Sequence, residues 1–139
     1  MTDVAKKGNT MRTRILALVA AVASVPLLTV SASAAPADLN APYARAAAKV
    51  GADGTLLATK NVASAERLNG RPAGYYCVAV SDPTINLANA AVVATVNNNR
   101  SMITAIPNSN CNGKSRTITI VTSNYNNDAA DVPFTVAVL

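Results

Sequence analysis

The chain has no histidine and no tryptophan, one phenylalanine (Phe134) and one glutamate (Glu66). Without an imidazole there is no Ser-His-Asp or Cys-His machinery and no histidine base. No Ser-x-x-Lys occurs. Lys114-Ser115 is adjacent, and adjacent residues of a strand face opposite sides. There is no glycine-rich phosphate loop. Asp82, Asp128 and Asp131 are the acids to weigh for paired-carboxylate hydrolysis, but each sits beside turn residues and reads as a turn former. The run Asn126-Asn127-Asp128…Asp131 gathers oxygen ligands without the spacing of a calcium motif. No enzymatic activity, cofactor or metal site is therefore expected.

Basic clustering is also missing. The formal charge is +5, but Lys6, Lys7, Arg12 and Arg14 stand against Asp3 before residue 15, leaving +2 for all that follows. The later cations are scattered among six acids. A nucleic-acid binder shows a clustered basic face, so no nucleic-acid partner is expected.

What is present begins with an export pattern. A basic stretch ends in Met11-Arg12-Thr13-Arg14, and an apolar run crosses residues 15–30, interrupted by Ser24, Pro26 and Thr29. Ser31-Ala32-Ser33-Ala34-Ala35-Pro36 follows. Ala32 and Ala34 are small enough for a signal peptidase pocket, which predicts a signal peptide over 1–34 and cleavage after Ala34. Met11 serves equally well as the start. The apolar run is shorter than the roughly 20 residues of a membrane span, and no cysteine follows it to carry a lipid. The expected product is a secreted protein with a flexible 35–42 linker and one domain over 43–139.

Cys77 and Cys111 are the only cysteines. In an oxidising compartment they have one intramolecular pairing available. Neither Cys-x-x-Cys redox spacing nor a zinc ligand set is present.

Half the residues are hydrophobic, enough for a core, though much of that content is small Ala and Val. Residues 43–50 and 62–68 read either as short helices or as strands. Residues 55–58 read as a strand after the turn Gly51-Ala52-Asp53-Gly54. In 75–80 the alternation puts Tyr76, Val78 and Val80 on one face. Residues 90–96 are apolar on both faces, which suits a central strand. Residues 102–106 form a strand ending at Pro107, and 108–114 a polar loop. In 116–122, Ile118 and Ile120 point inward while Thr117 and Thr119 point outward. Residues 134–138 close the chain. Short strands at about ten-residue spacing, separated by Asn, Gly and Pro, predict an all-β fold. That fold is a small antiparallel β-sandwich or barrel of about 7–8 short strands with one disulfide.

Three pieces recur in order: Tyr43-Ala44…Asp53-Gly54-Thr55-Leu56, then Tyr76-Cys77-Val78, then Val132-Pro133-Phe134-Thr135-Val136-Ala137-Val138. The set resembles a family of small secreted, largely uncharacterised actinobacterial β-domain proteins. The resemblance implies strands at 43–50 and 62–68 and supports pairing of Cys77 with Cys111. It brings no activity and no functional residues.

Binding on a rigid β scaffold is sought at its loops. Alternating strand directions gather the loops around Arg71, Asn98–Arg100 and 125–128 at one end, making Arg71, Asn98, Arg100, Tyr125 and Asn127 the candidate ligand-binding residues. Their chemistry suits an envelope component, a glycan or a secreted protein. Two other functions fit the pattern: a structural or self-associating surface protein, from the charge-free windows 90–96 and 117–121, and an enzyme inhibitor presenting loop 108–114.

Overall fold

The computed structural model describes residues 34–97 and 100–139. The expected signal peptide therefore lies outside the described residues except for Ala34. Among the described residues no helix is long and apolar enough to cross a membrane. Nine strands occur among the described residues: β1 (Ala37–Asp38), β2 (Ala46–Val50), β3 (Leu56–Lys60), β4 (Val62–Arg67), β5 (Tyr75–Val80), β6 (Val92–Val96), β7 (Ser101–Ser109), β8 (Thr117–Asn124) and β9 (Phe134–Val138). They form a five-stranded sheet, β1-β3-β2-β9-β6, and a four-stranded sheet, β4-β5-β8-β7. The fold is an all-β sandwich whose sheets do not close into a barrel. All pairings are antiparallel except the short β1–β3 contact.

Both ambiguous segments are strands. Ala-Ala-Ala-Lys-Val in β2 has helical propensity, but an isolated five-residue helix cannot sustain itself in water. As a strand between β3 and β9, the same residues gain ladders on both sides and bury Ala46, Ala48 and Val50 in the core. Part of the expected 35–42 linker is also docked. Ala37 and Asp38 pair with Ala58 and Thr59, and the Lys60 ammonium donates to the Ala41 carbonyl at 2.8 Å.

Two other expectations need correction. Residues 90–96 do not make a central strand: β6 is at the sheet edge. Its apolar outer face reflects shallow packing, and Val93 is 51% exposed. β7 does not end at Pro107 but runs to Ser109. Proline is tolerated there because β7 is an edge strand with a bulge between Ile106 and Ser109. Thr117 faces away from the core as expected yet is fully buried, because the segment around Cys111 folds over it and the Cys111 N–H donates to its hydroxyl at 3.1 Å.

The core lies between the sheets. Tyr76 and Phe134 meet edge to face, with ring centroids 5.1 Å apart. The β5–β6 connection closes one end by burying Ile85 and Leu87. The other end is closed by a polar clasp. The Tyr76 hydroxyl donates to the Ala52 carbonyl at 2.8 Å and approaches Asp131 at 3.3 Å. Asp131 also accepts from the Gly74 N–H at 2.6 Å and pairs with Arg67 at 2.8 Å. Asp131 thus ties β4, the β4–β5 turn and the Tyr76 hydroxyl together, and is not merely the turn former its sequence context suggests.

Burial disfavours the charge on Asp131, but the Gly74 N–H and the Arg67 guanidinium outweigh it and hold its carboxyl below the ordinary 3.8. Burial, reinforced by the Asp131 charge, pushes the Tyr76 hydroxyl up to about 12. The two shifts act on opposite limbs of the stability profile. Asp131 binds its proton more weakly when folded, so its contribution is complete above 3.8 and is lost as pH falls through the depressed value. Tyr76 holds its proton more tightly when folded, so the unfolded chain gains as pH rises above the ordinary 10. Denaturation series from pH 2 to 12 should therefore show stability falling on both limbs. Asp131→Asn should flatten the acid limb, and Tyr76→Phe the alkaline one.

Candidate functional site

The outer face of the four-stranded sheet carries the disulfide and the turn that it tethers. Alternation along β5 sends Tyr76 and Val78 inward, so Tyr75 and Cys77 face out. One row across the sheet is Glu66, Cys77, Thr119 and Ile106; the next is Tyr75, Val121 and Thr104. Cys77 is bonded to Cys111, with Cα atoms 5.8 Å apart. The bridge is therefore not between the sheets. It pins the 3-10 turn Cys111–Gly113 back onto the outer face.

Asn112 and Gly113, both at positive φ, reverse the chain there. Lys114 and Asn112 add a second tether by donating to Glu66 at 2.8 and 3.1 Å. Those bonds, from Lys114 and then from Asn112, lower the Glu66 carboxyl below its ordinary value.

Opposite this wall stands the β4–β5 turn. Gly74 has φ +82°, and a side chain there would place its first carbon 2.1 Å from the Thr122 carbonyl oxygen. Only glycine lets the turn pack this closely on β8. The turn holds Arg71 with its guanidinium carbon 6.0 Å from the Tyr75 ring centroid, at the outer limit of a cation–π contact.

Between the walls is a cavity of about 380 Å³, and beside it, over β7, β8 and the loop that follows β8, is a second of about 310 Å³; Tyr75 lines both. The larger also meets Asn69, Arg71, Asn110 and Asn112; the smaller meets Met102, Val121 and Asn127. Arg71 is the one charged side chain on either lining. The Ser109 and Thr119 hydroxyls at the base lie 2.7 Å apart and bond to each other. The groove has the shape and polarity to bind, and no imidazole or carboxylate base lines it.

Of the five residues expected at a binding end, Arg71 and Asn127 line the groove. Tyr125 is on the same loop as Asn127 and is 76% exposed, but it lines neither cavity. Arg100 is exposed and also stands apart. Asn98 lies outside the described residues. The pairing of Ser101 with Asn124 and of Tyr75 with Val121 puts the loops carrying Arg71, Arg100 and Tyr125 at one end of this sheet.

The residues that sequence reasoning missed are Tyr75, Asn69, Asn110 and Asn112. Tyr75 carried a usable signal: an aromatic on the face of an alternating strand opposite Tyr76 and Val78. The asparagines carried none, because nothing in the spacing says that 108–114 folds back beside 68–74. In the 126–131 run, Asp131 turns to Arg67 while Asp128 accepts from Asn124 at 3.2 Å, so the two acids serve separate partners. Among the described residues no three His, Cys, Asp or Glu side chains gather as metal ligands.

Comparison with protein-family models, curated proteins and solved structures finds no match to this chain.

Proposed function

We propose that the protein is a secreted, non-enzymatic β-domain that binds an extracellular or cell-envelope partner across the outer face of its four-stranded sheet. The observation that carries this reading is the two-part groove that shares half-buried Tyr75, its larger part walled by the disulfide-pinned turn on one side and the Arg71 turn on the other. Concave sites on a preformed scaffold, with an aromatic and a few converging polar groups, are where ligands bind. The basic, apolar and small-residue order of the first 34 residues supports export, and a disulfide suits that compartment.

Co-sedimentation with insoluble cell-envelope material tests the proposal. The wild type should be retained and Tyr75→Ala should be lost to the supernatant by at least about tenfold, while its melting temperature stays within a few degrees because the ring is half exposed. Wild-type protein that is not retained, or a Tyr75→Ala variant retained equally, contradicts the reading.

A second reading is favoured by one feature. β6 is a charge-free edge strand with no proline, and such edges invite pairing with another chain. Self-association through β6 would show as a concentration-dependent sedimentation coefficient that Val93→Lys abolishes. A monomer at millimolar concentration removes this reading. The inhibitor reading has less support, since residues 111–113 turn back onto the sheet instead of standing out as an extended segment.

A further inference from the structure

Resting on that binding reading, we propose that the groove takes an acidic oligosaccharide, with sugar units on either side of Tyr75 and a carboxylate on Arg71. Three observations converge on this chemistry.

The first is the lining. Each asparagine amide offers two donors and a two-lone-pair acceptor, the pattern that neighbouring sugar hydroxyls satisfy in pairs. Asn69, Asn110 and Asn112 supply amides to one cavity, Asn112 with one of its donors already on Glu66, and Asn127 supplies its amide to the other. All four are exposed.

The second is the ring. Tyr75 lines both cavities, so one aromatic platform serves a chain that passes from one to the other. An aromatic with a polar tip suits a partner that has an apolar C–H face and hydroxyl edges.

The third is the charge. Arg71 is exposed and alone among the lining residues in carrying charge. The neighbouring acid, Glu66, is already held by Lys114 at 2.8 Å. A guanidinium presents a planar fork that matches a carboxylate in a two-bonded arrangement.

Other macromolecules fit less well. A nucleic acid requires several cations along its phosphates, and the groove supplies one. A peptide joining as an added strand needs a free extended edge. The edge beside the groove, β7, carries Pro107 and a bulge, which block such addition.

The test is amide chemical-shift mapping of the purified protein with three probes: oligogalacturonate, the same oligomer with its carboxyls reduced to alcohols, and a poly-glutamate peptide of matched charge. Oligogalacturonate should shift the Tyr75, Arg71 and Asn112 amides and bind about tenfold or more tighter than its reduced form, as expected when a charge-assisted hydrogen bond is removed. Arg71→Gln should bring the two oligomers level without unfolding the protein, because its side chain is exposed on a turn. Equal binding of both oligomers by the wild type overturns the acidic specificity, and poly-glutamate binding as tightly as oligogalacturonate overturns the saccharide assignment. In both cases shifts at Tyr75 leave the wider binding reading intact. Silence at Tyr75 with all three probes and with solubilised envelope fragments overturns both.

Discussion

Phe134→Ala is expected to destabilise the domain by about 3–5 kcal/mol, the usual cost of truncating a fully buried phenylalanine. Phe134 is the chain's only phenylalanine and is completely buried. It starts β9, which pairs with β2 on one side and β6 on the other. Its neighbours across the five-stranded sheet are Val50 and Val96, and Tyr76 meets it from the opposite sheet. These neighbours cannot fill the void. Valines have no reach, and Tyr76 is held by its hydroxyl bond to Ala52. The cavity therefore stays open, and cavity volume adds to the lost transfer energy. Against a typical domain stability of about 5–15 kcal/mol, such a loss leaves a marginal protein. Urea denaturation should show the midpoint falling sharply with little change in slope. Phe134→Leu, which keeps most of the volume, should cost clearly less. A Phe134→Ala variant within 1 kcal/mol of wild type would mean that the two-sheet core is not organised around this ring.

Removing the disulfide, as Cys77→Ala with Cys111→Ala, should cost about 3.7 kcal/mol through the greater freedom of the unfolded chain. The bond closes a separation of 34 residues that contains β6, β7 and two crossings between the sheets, β5 to β6 and β6 to β7. For a domain near 100 residues that is a fall in melting temperature of roughly 15–30 °C. A local effect is also expected. With the bond gone, the turn Cys111–Gly113 keeps its contact with the sheet through the hydrogen bonds of Thr117 with Cys111 and Lys114 and the exposed Glu66 tethers. Exposed ion pairs are weak. Binding across the groove should therefore weaken even at temperatures where the sandwich stays folded. A double variant that melts with the wild type would show that neither effect operates.

The fold class was legible because its signals are local. Alternation in 75–80 placed Tyr76, Val78 and Val80 correctly, and all three are buried. The pair Ile118 and Ile120 behaved the same way. Where the residues alone were ambiguous or misled, the deciding contact lay outside the segment. Ala46–Val50 is a strand because β3 and β9 flank it, and no property of five residues shows that. The apolar 90–96 window looked central, yet sheet order makes it an edge. Thr117 points outward as its alternation requires, and only the fold-back of Cys111 buries it. The site follows the same rule. Arg71 and Asn127 could be named because turn residues announce loops, whereas the opposing wall of Asn110 and Asn112 depends on where one sulfur–sulfur bond lands.

That bond's place on the outer face is most directly tested by amide hydrogen exchange on oxidised and reduced protein, at a temperature where both are folded. Protection should be lost first at the amides of Cys111 and Lys114, which donate to Thr117 and to Cys111, while β2 and β9 in the other sheet keep theirs. Equal loss across both sheets, or loss beginning in β2 and β9, would show that the bridge supports the inter-sheet core and not the wall of the groove.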